Sequence, residues 1–152
     1  MLIYRAEMYI LMKYPYLIDI NKKNAEVTKN LSDKSFFYII KSFSEEDVHK
    51  VRFSLIKAIK YNVWSSTKAG NQTLNNSYKQ AKSEGGDVYL FFSCNGSGRF
   101  VGVAKMASEV DFEKMFMFWT QDTKWMGMMN LEWVFIKDVP FREFRDIIIM
   151  MK

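Results

Sequence analysis

The stretch from Val88 to Met106 constrains the fold more than any other part of this chain. Val88 to Ser93 is an apolar run of the kind found in buried strands, and Arg99 to Met106 returns with similar character. Between them, Asn95-Gly96-Ser97-Gly98 predicts a tight hairpin connection, because Asn and Gly tolerate the backbone that such turns need. Leu131 to Ile136 reads as a further strand, and Phe36-Phe37-Tyr38-Ile39-Ile40 as a strand covered on both faces. Helices fall between the first strand and the hairpin. Ser44-Glu45-Glu46-Asp47 is a capping-box-like start, after which Val48, Val51, Leu55, Ile56 and Ile59 recur at helical spacing. A second helix is predicted over Asn71–Ser83, with Leu74, Tyr78 and Ala81 buried and Gly85-Gly86 as its stop. One strand, then helices, then strands in succession predict an α+β fold: a curved mixed β-sheet or small open β-barrel flanked by helices. The later strands lack intervening helices, so a doubly wound parallel sheet fits poorly.

A chain of 152 residues has room for one domain. Residues 1–31 read as an N-terminal extension, in which Asn21, Lys22, Lys23, Asn24 and Glu26 form a polar linker or solvated turn. Residues 32–152 form the domain proper. The apolar stretch from Met8 to Ile20 is broken by Lys13, Pro15 and Asp19, well short of the roughly 20 apolar residues of a membrane-crossing helix. It also makes a poor signal peptide, as no small-residue cleavage site follows, and it reads instead as a helix or extension packed on the domain. No membrane partner is expected.

Lys and Arg number 22 against 17 for Asp and Glu, a net charge of +5 that tolerates a polyanionic partner without requiring one. Cys94 is the single cysteine and His49 the single histidine, which excludes an internal disulfide and a Cys/His zinc site. An intracellular setting is the default for such a chain. Gly96 and Gly98 lie between two strands, with no helix N-terminus behind them to hold a phosphate. His49 has no positioned partner, since Asp47, two residues away on a helix, faces elsewhere. No catalytic residue, metal ligand or cofactor is expected.

Four tryptophans remain. Trp133, within Leu131-Glu132-Trp133-Val134-Phe135-Ile136, suits the core. Trp64 ends a helix-to-loop segment, and Trp119 and Trp125 bracket the polar stretch Thr120-Gln121-Asp122-Thr123-Lys124, where both rings could be displayed. Each is either a core ring or part of a ligand cage, and aromatics interleaved with lysines suit a surface that stacks unpaired bases.

Five ordered blocks carry a resemblance. They are Lys41-Ser42-Phe43-Ser44-Glu45-Glu46-Asp47-Val48-His49; Lys60-Tyr61-Asn62-Val63-Trp64-Ser65-Ser66-Thr67; the stretch from Tyr89 to Ala104; Trp119-Thr120-Gln121-Asp122; and Trp133 to Pro140. Together they resemble a YTH domain over about residues 35 to 145, closest to the branch that works on cytoplasmic messenger RNA. The resemblance implies a PUA-like curved sheet or barrel with helices around it. It also implies a non-catalytic reader of N6-methyladenosine in single-stranded messenger RNA, acting in post-transcriptional control of stability or translation. The setting is cytoplasmic, with the nucleus as the alternative, and protein effectors engage regions outside the domain.

By motif, Trp64, Trp119 and Trp125 are the cage walls. Asp47, Asn95, the Ser65 carbonyl and Phe43 contact the base edge, and Lys41 and Ser42 lie along the RNA backbone. Asp47 is equally the fourth member of the Ser44 capping box. The sequence departs from the family pattern at several places. The loop between Trp119 and Trp125 is one residue longer, which leaves Met126 or Met128 as alternative closures of the cage. Phe43 replaces a tyrosine, Thr73 replaces a frequently basic residue, and a helical insertion spans roughly Lys50 to Ile56. Set against the family pattern, the C-terminal segment is expected to be incomplete at Lys152. The alternative function is a general single-stranded RNA-binding or RNA-processing module without methyl selectivity.

Overall fold

The computed structural model describes residues 6–27, 31–42, 58–94, 96–114 and 127–147. Two helices open it, α1 (Ala6–Lys13) and α2 (Tyr16–Val27). They are followed by β1 (Phe36–Ser42), a helical turn over 58–61, β2 (Val63–Trp64) and α3 (Lys68–Glu84). The remainder is β3 (Val88–Cys94), β4 (Arg99–Met106), β5 (Met129–Pro140) and a 3₁₀ turn at Phe141–Phe144. The strands form one curled mixed sheet in the order β1-β3-β4-β5-β2, in which β1 and β3 are parallel and the other pairs antiparallel. Register shifts at Phe92/Ser93, Phe100/Gly102 and Val103/Ala104 add bulges, and bulges bend and twist a sheet. The α+β architecture expected from the order of elements is the one found.

The core fills the inside of this curve with Ile59, Leu90, Val101, Met106, Met129 and Ile136, all essentially inaccessible. Trp133 joins them, its indole Nε1 donating to Ala58 O at 3.4 Å. Gly102 makes room for it: a Cβ there would stand 3.2 Å from Trp133 Cζ3 and 3.0 Å from Phe135 O. The helix predicted over Asn71–Ser83 starts earlier, because Thr67 caps it by accepting from Gly70 N at 3.1 Å. It stops where expected, at Gly85 in the left-handed region, with Gly86 N donating to Ala81 O.

Two expectations fail for physical reasons. Strand β1 is not covered on both faces. It is an edge strand, and alternation leaves Phe37 and Ile39 on the outer face, 52% and 53% exposed, with Phe37 stacked on Tyr89 at 5.5 Å. The polar stretch around Asn21 and Asn24 is not a linker, because it lies inside α2. There the two amides hydrogen-bond the β5 backbone, while Ile10 and Leu17 from the same hairpin enter the core. The Ser44 cap, the helix through Ile56 and the insertion at 50–56 lie outside the described residues. No helix among the described residues is long and apolar enough to cross a membrane.

Replacing a buried tryptophan by alanine removes its transfer free energy and leaves a cavity. Trp133→Ala should therefore lower the free energy of unfolding by about 3–5 kcal/mol. Ile136→Val should cost about 0.5–1.5 kcal/mol. Denaturant midpoints at unchanged slope check both.

Candidate nucleic-acid interface

The parallel pairing of β1 with β3 brings their C-terminal ends to one edge of the sheet, with Lys41 beside Ser93 and Ser42 beside Cys94. The Lys41 side chain is exposed there. The hairpin leaving β3 is closed by polar side chains. Ser93 Oγ donates to Arg99 O at 2.7 Å, Ser97 Oγ donates to the same carbonyl at 3.2 Å, and Arg99 N donates to Ser97 Oγ at 3.2 Å. Gly96 and Gly98 adopt the positive φ values of 80° and 66° that the tight connection requires. Asn95 lies outside the described residues, as do Phe43, Asp47, Trp119 and Trp125.

Trp64 is reached through Asn62, which turns the chain out of the preceding helix at φ 55°, a conformation asparagine tolerates. Asn62 O accepts from Leu131 N at 2.7 Å, and Trp64 pairs with Met129. The Trp64 ring is 6% exposed and stands edge-on to Phe92, with centroids 5.0 Å apart and planes at 83°. Phe92 in turn lies 5.1 Å from Trp133. Trp64 is thus not displayed on a loop: it is a strand residue seated in an aromatic column, with only a strip of its surface open.

The backbone after Trp64 is held by a residue that sequence reasoning passed over. Asn71, fully buried on α3, accepts from Ser66 N at 2.8 Å through Oδ1 and donates to Ser66 O at 3.1 Å through Nδ2. Its Nδ2 also reaches Ser65 Oγ at 3.5 Å. Ser65 itself is buried. One side-chain amide therefore holds the Ser66 N–H, which shares its peptide unit with the candidate acceptor carbonyl of Ser65, and the Ser66 carbonyl of the next unit. In sequence, Asn71 looks like the start of a helix, and nothing about a lone asparagine there signals burial.

Asn71 also faces the described residues on either side of 115–126, the stretch that contains the other two tryptophans. Asp111 N donates to Met128 O at 2.9 Å, Met128 N donates to Asp111 O at 3.0 Å, and Gly127 N donates to Lys114 O at 2.9 Å. These bonds form a stalk that joins 111–114 to 127–128. Gly127, at φ 109°, lies so close that a Cβ on it would stand 2.8 Å from Asn71 Nδ2. A second buried α3 amide, Asn75, accepts from Val110 N at 2.9 Å and pins the other side of the stalk. Met128 is a half-buried member of the stalk; Met126 lies outside the described residues. Among the described residues no group of three or more His, Cys, Asp or Glu side chains is placed to hold a metal ion.

Comparison with known proteins adds to this geometry. The family model of the YT521-B-like domain, YTH, matches residues 35–152. The chain is similar to Arabidopsis thaliana YTH domain-containing protein ECT3, at 50% identity over 113 residues, 73% of this chain and 21% of that protein. It is also similar to Homo sapiens YTH domain-containing family protein 2, at 46% identity over 110 residues, 72% of this chain and 17% of that protein. Among solved structures, it resembles the YTH domain of Zygosaccharomyces rouxii MRB1 in complex with N6-methyladenosine RNA. That match has a TM-score of 0.64 and 32% identity, and covers 79% of this chain and 71% of that one. The Pho92 YTH domain in complex with m6A has a TM-score of 0.64 and 34% identity, over 76% of this chain and 68% of that one. The chain spans about a fifth of the length of these two curated relatives. The curled mixed sheet, the order of its strands and helices, and a family model spanning most of the sequence agree: this chain belongs to the YT521-B-like (YTH) domain family.

Proposed function

We propose that this chain reads N6-methyladenosine in single-stranded RNA, as a binding module rather than a catalyst. The observation that carries the reading is the setting of Trp64. Its ring stands edge-on to Phe92, the backbone beyond it is held by Asn71, and Gly127, shortly after Trp119 and Trp125 in the chain, stands beside the same amide. The solved MRB1 and Pho92 domains, at 32% and 34% identity, are complexes with N6-methyladenosine RNA and m6A, which supports the same reading.

In this mechanism Trp64, Trp119 and Trp125 enclose the base and its methyl group. The Ser65 carbonyl accepts from the methylated amine, and Asn95 and Asp47 meet the base edge with Phe43 beside them. Lys41 and Ser42 follow the RNA backbone. The base is neutral, so the gain comes from stacking and methyl burial, without cation–π attraction. Burying one methyl is worth about 0.8 kcal/mol by area, and a close-fitting pocket raises discrimination to about 1–3 kcal/mol. Selectivity of about ten- to hundredfold over adenosine is the natural scale. A rigid acceptor matters here, because the methylated amine N–H left unpaired in a dry pocket costs about as much as the methyl gains. The biological setting that fits is post-transcriptional control of messenger RNA, through its stability or translation, in the cytoplasm.

Paired titration of one oligonucleotide sequence, methylated and plain, tests the proposal. The expected result is about ten- to hundredfold tighter binding of the methylated strand. Equal affinities would replace it with a general single-stranded RNA binder. Trp64→Ala should weaken the methylated RNA by about ten- to hundredfold, since base–aromatic stacking is worth about 1–3 kcal/mol. Lys41→Ala should weaken both RNAs alike and reduce the slope of log affinity against log salt by about 1, as phosphate contacts carry no base information. Asn71→Ala strips the side-chain partner from both the N–H and the carbonyl of Ser66. It should cost about 1–3 kcal/mol of stability and lower methyl selectivity, measured by denaturation and by the same paired titration.

A further inference from the structure

Strand β5 has neighbours of two kinds along its outer side. Over its first residues β2 pairs with Met129 and Asn130. Farther along, α2 takes over with side chains. Asn21 Nδ2 donates to Ile136 O at 2.8 Å, and Ile136 N donates to Asn21 Oδ1 at 2.9 Å. Asn24 Nδ2 donates to Val134 O at 2.9 Å. One amide thus exchanges with Ile136 both hydrogen bonds that a paired residue of an antiparallel strand exchanges. The geometry suits a helix lying along a strand edge. Residues three apart on a helix are separated by about 4.5 Å along its axis, and alternate strand residues by about 6.6 Å, a difference that asparagine side chains span.

The contact is built into the fold. Ile10 and Leu17 of the same hairpin are fully buried, so the helices bring apolar surface along with the amides. The hairpin lies ahead of residue 35, where the family's match begins. What it holds is the part of β5 next to Trp133. Trp133 contacts Phe92 at 5.1 Å, and Phe92 contacts Trp64 at 5.0 Å. A strand edge without partners is free to shift and exchange, whereas one bonded at successive residues has a fixed twist.

We infer that Asn21 and Asn24 are positioning residues for the base pocket. By serving as a surrogate strand on β5, they fix Trp133 and, through Phe92, the setting of Trp64. The inference rests on the base-reading function proposed above, and it adds to that function a helical hairpin outside the matched region.

The test uses the whole chain with Asn21→Ala/Asn24→Ala, Asn24→Ala alone, and Val88→Ala as a destabilised control at the far end of β3. Three quantities are read below all melting temperatures: exchange of the Ile136 amide, the near-ultraviolet circular dichroism of the tryptophans, and the affinity ratio of methylated to plain RNA. In the double variant the Ile136 amide should exchange about tenfold faster or more, since hydrogen bonds worth about 1 kcal/mol each are lost. The tryptophan signal should change, and the affinity ratio should fall about three- to tenfold, the scale of couplings carried through packed side chains. Val88→Ala should keep the wild-type ratio and tryptophan signal. Unchanged Ile136 exchange would overturn the surrogate strand. Faster exchange with a wild-type tryptophan signal and ratio would overturn the positioning role, and so would an equal loss of ratio in Val88→Ala. If the double variant does not fold, Asn24→Ala, which removes the bond to Val134 O, is judged by the same outcomes. If the wild-type chain binds both RNAs equally, the function fails, and the inference stands or falls on the tryptophan signal and Ile136 exchange.

Discussion

The column Trp64–Phe92–Trp133 is the contact on which the rest of this molecule depends. Its three rings come from β2, β3 and β5, so one set of aromatic contacts joins the edge, the interior and the longest strand of the sheet. Each ring pair is worth about 0.5–1.5 kcal/mol beyond the area it buries. The larger consequence is geometric. A flat ring held edge-on by another flat ring has little freedom to tilt, and the proposed base pocket needs a wall of that kind. Gly102 belongs to the same arrangement, because a Cβ there would press to 3.2 Å from the Trp133 ring.

Around this apolar column, buried and half-buried side-chain amides do the finer positioning. Asn71 holds the backbone of Ser66, Asn75 holds Val110, and Asn21 and Asn24 hold β5. An asparagine carries a donor and an acceptor on one short plane, so its side chain can satisfy both backbone groups of one residue. Such clamps stand where secondary structure cannot supply the partner: at a turn between a strand and a helix, at the base of a loop, and along a half-covered strand. A buried peptide group left without them would cost about 1–3 kcal/mol. These positions are accordingly more sensitive to truncation than their polar character suggests.

Much of the fold was legible in the sequence because it is written in local signals. The hairpin of β3 and β4 follows from two apolar runs about a turn of Asn, Gly, Ser and Gly, and the end of α3 from Gly85-Gly86. Membership of the family was legible too, as five short blocks in fixed order. Of the residues singled out for the site, Trp64, Ser65, Lys41 and Ser42 come to one end of the sheet or beside its aromatic column. Trp119, Trp125, Asn95, Asp47 and Phe43 lie outside the described residues. The sequence misled in two places. A run of aromatic and β-branched residues was read as doubly covered when β1 is an edge, and a polar run was read as a linker when it is a helix face.

What the sequence determined by itself was therefore the β3–β4 hairpin, the strand over Leu131 to Ile136, the end of α3 and the family to which the chain belongs. Apolar periodicity and turn chemistry act over a few residues, and that information is complete within the chain segment that carries it. The tertiary structure decided the rest. Whether Trp64 is displayed or seated depends on Phe92, 28 positions away, and the role of Asn21 depends on Ile136, 115 positions away. An asparagine in a helix has the same local propensity whether water or a strand edge lies opposite it. Only the packing of β5 against α2, and of α3 against the turn after Trp64, turns Asn21, Asn24 and Asn71 from polar surface residues into structural clamps.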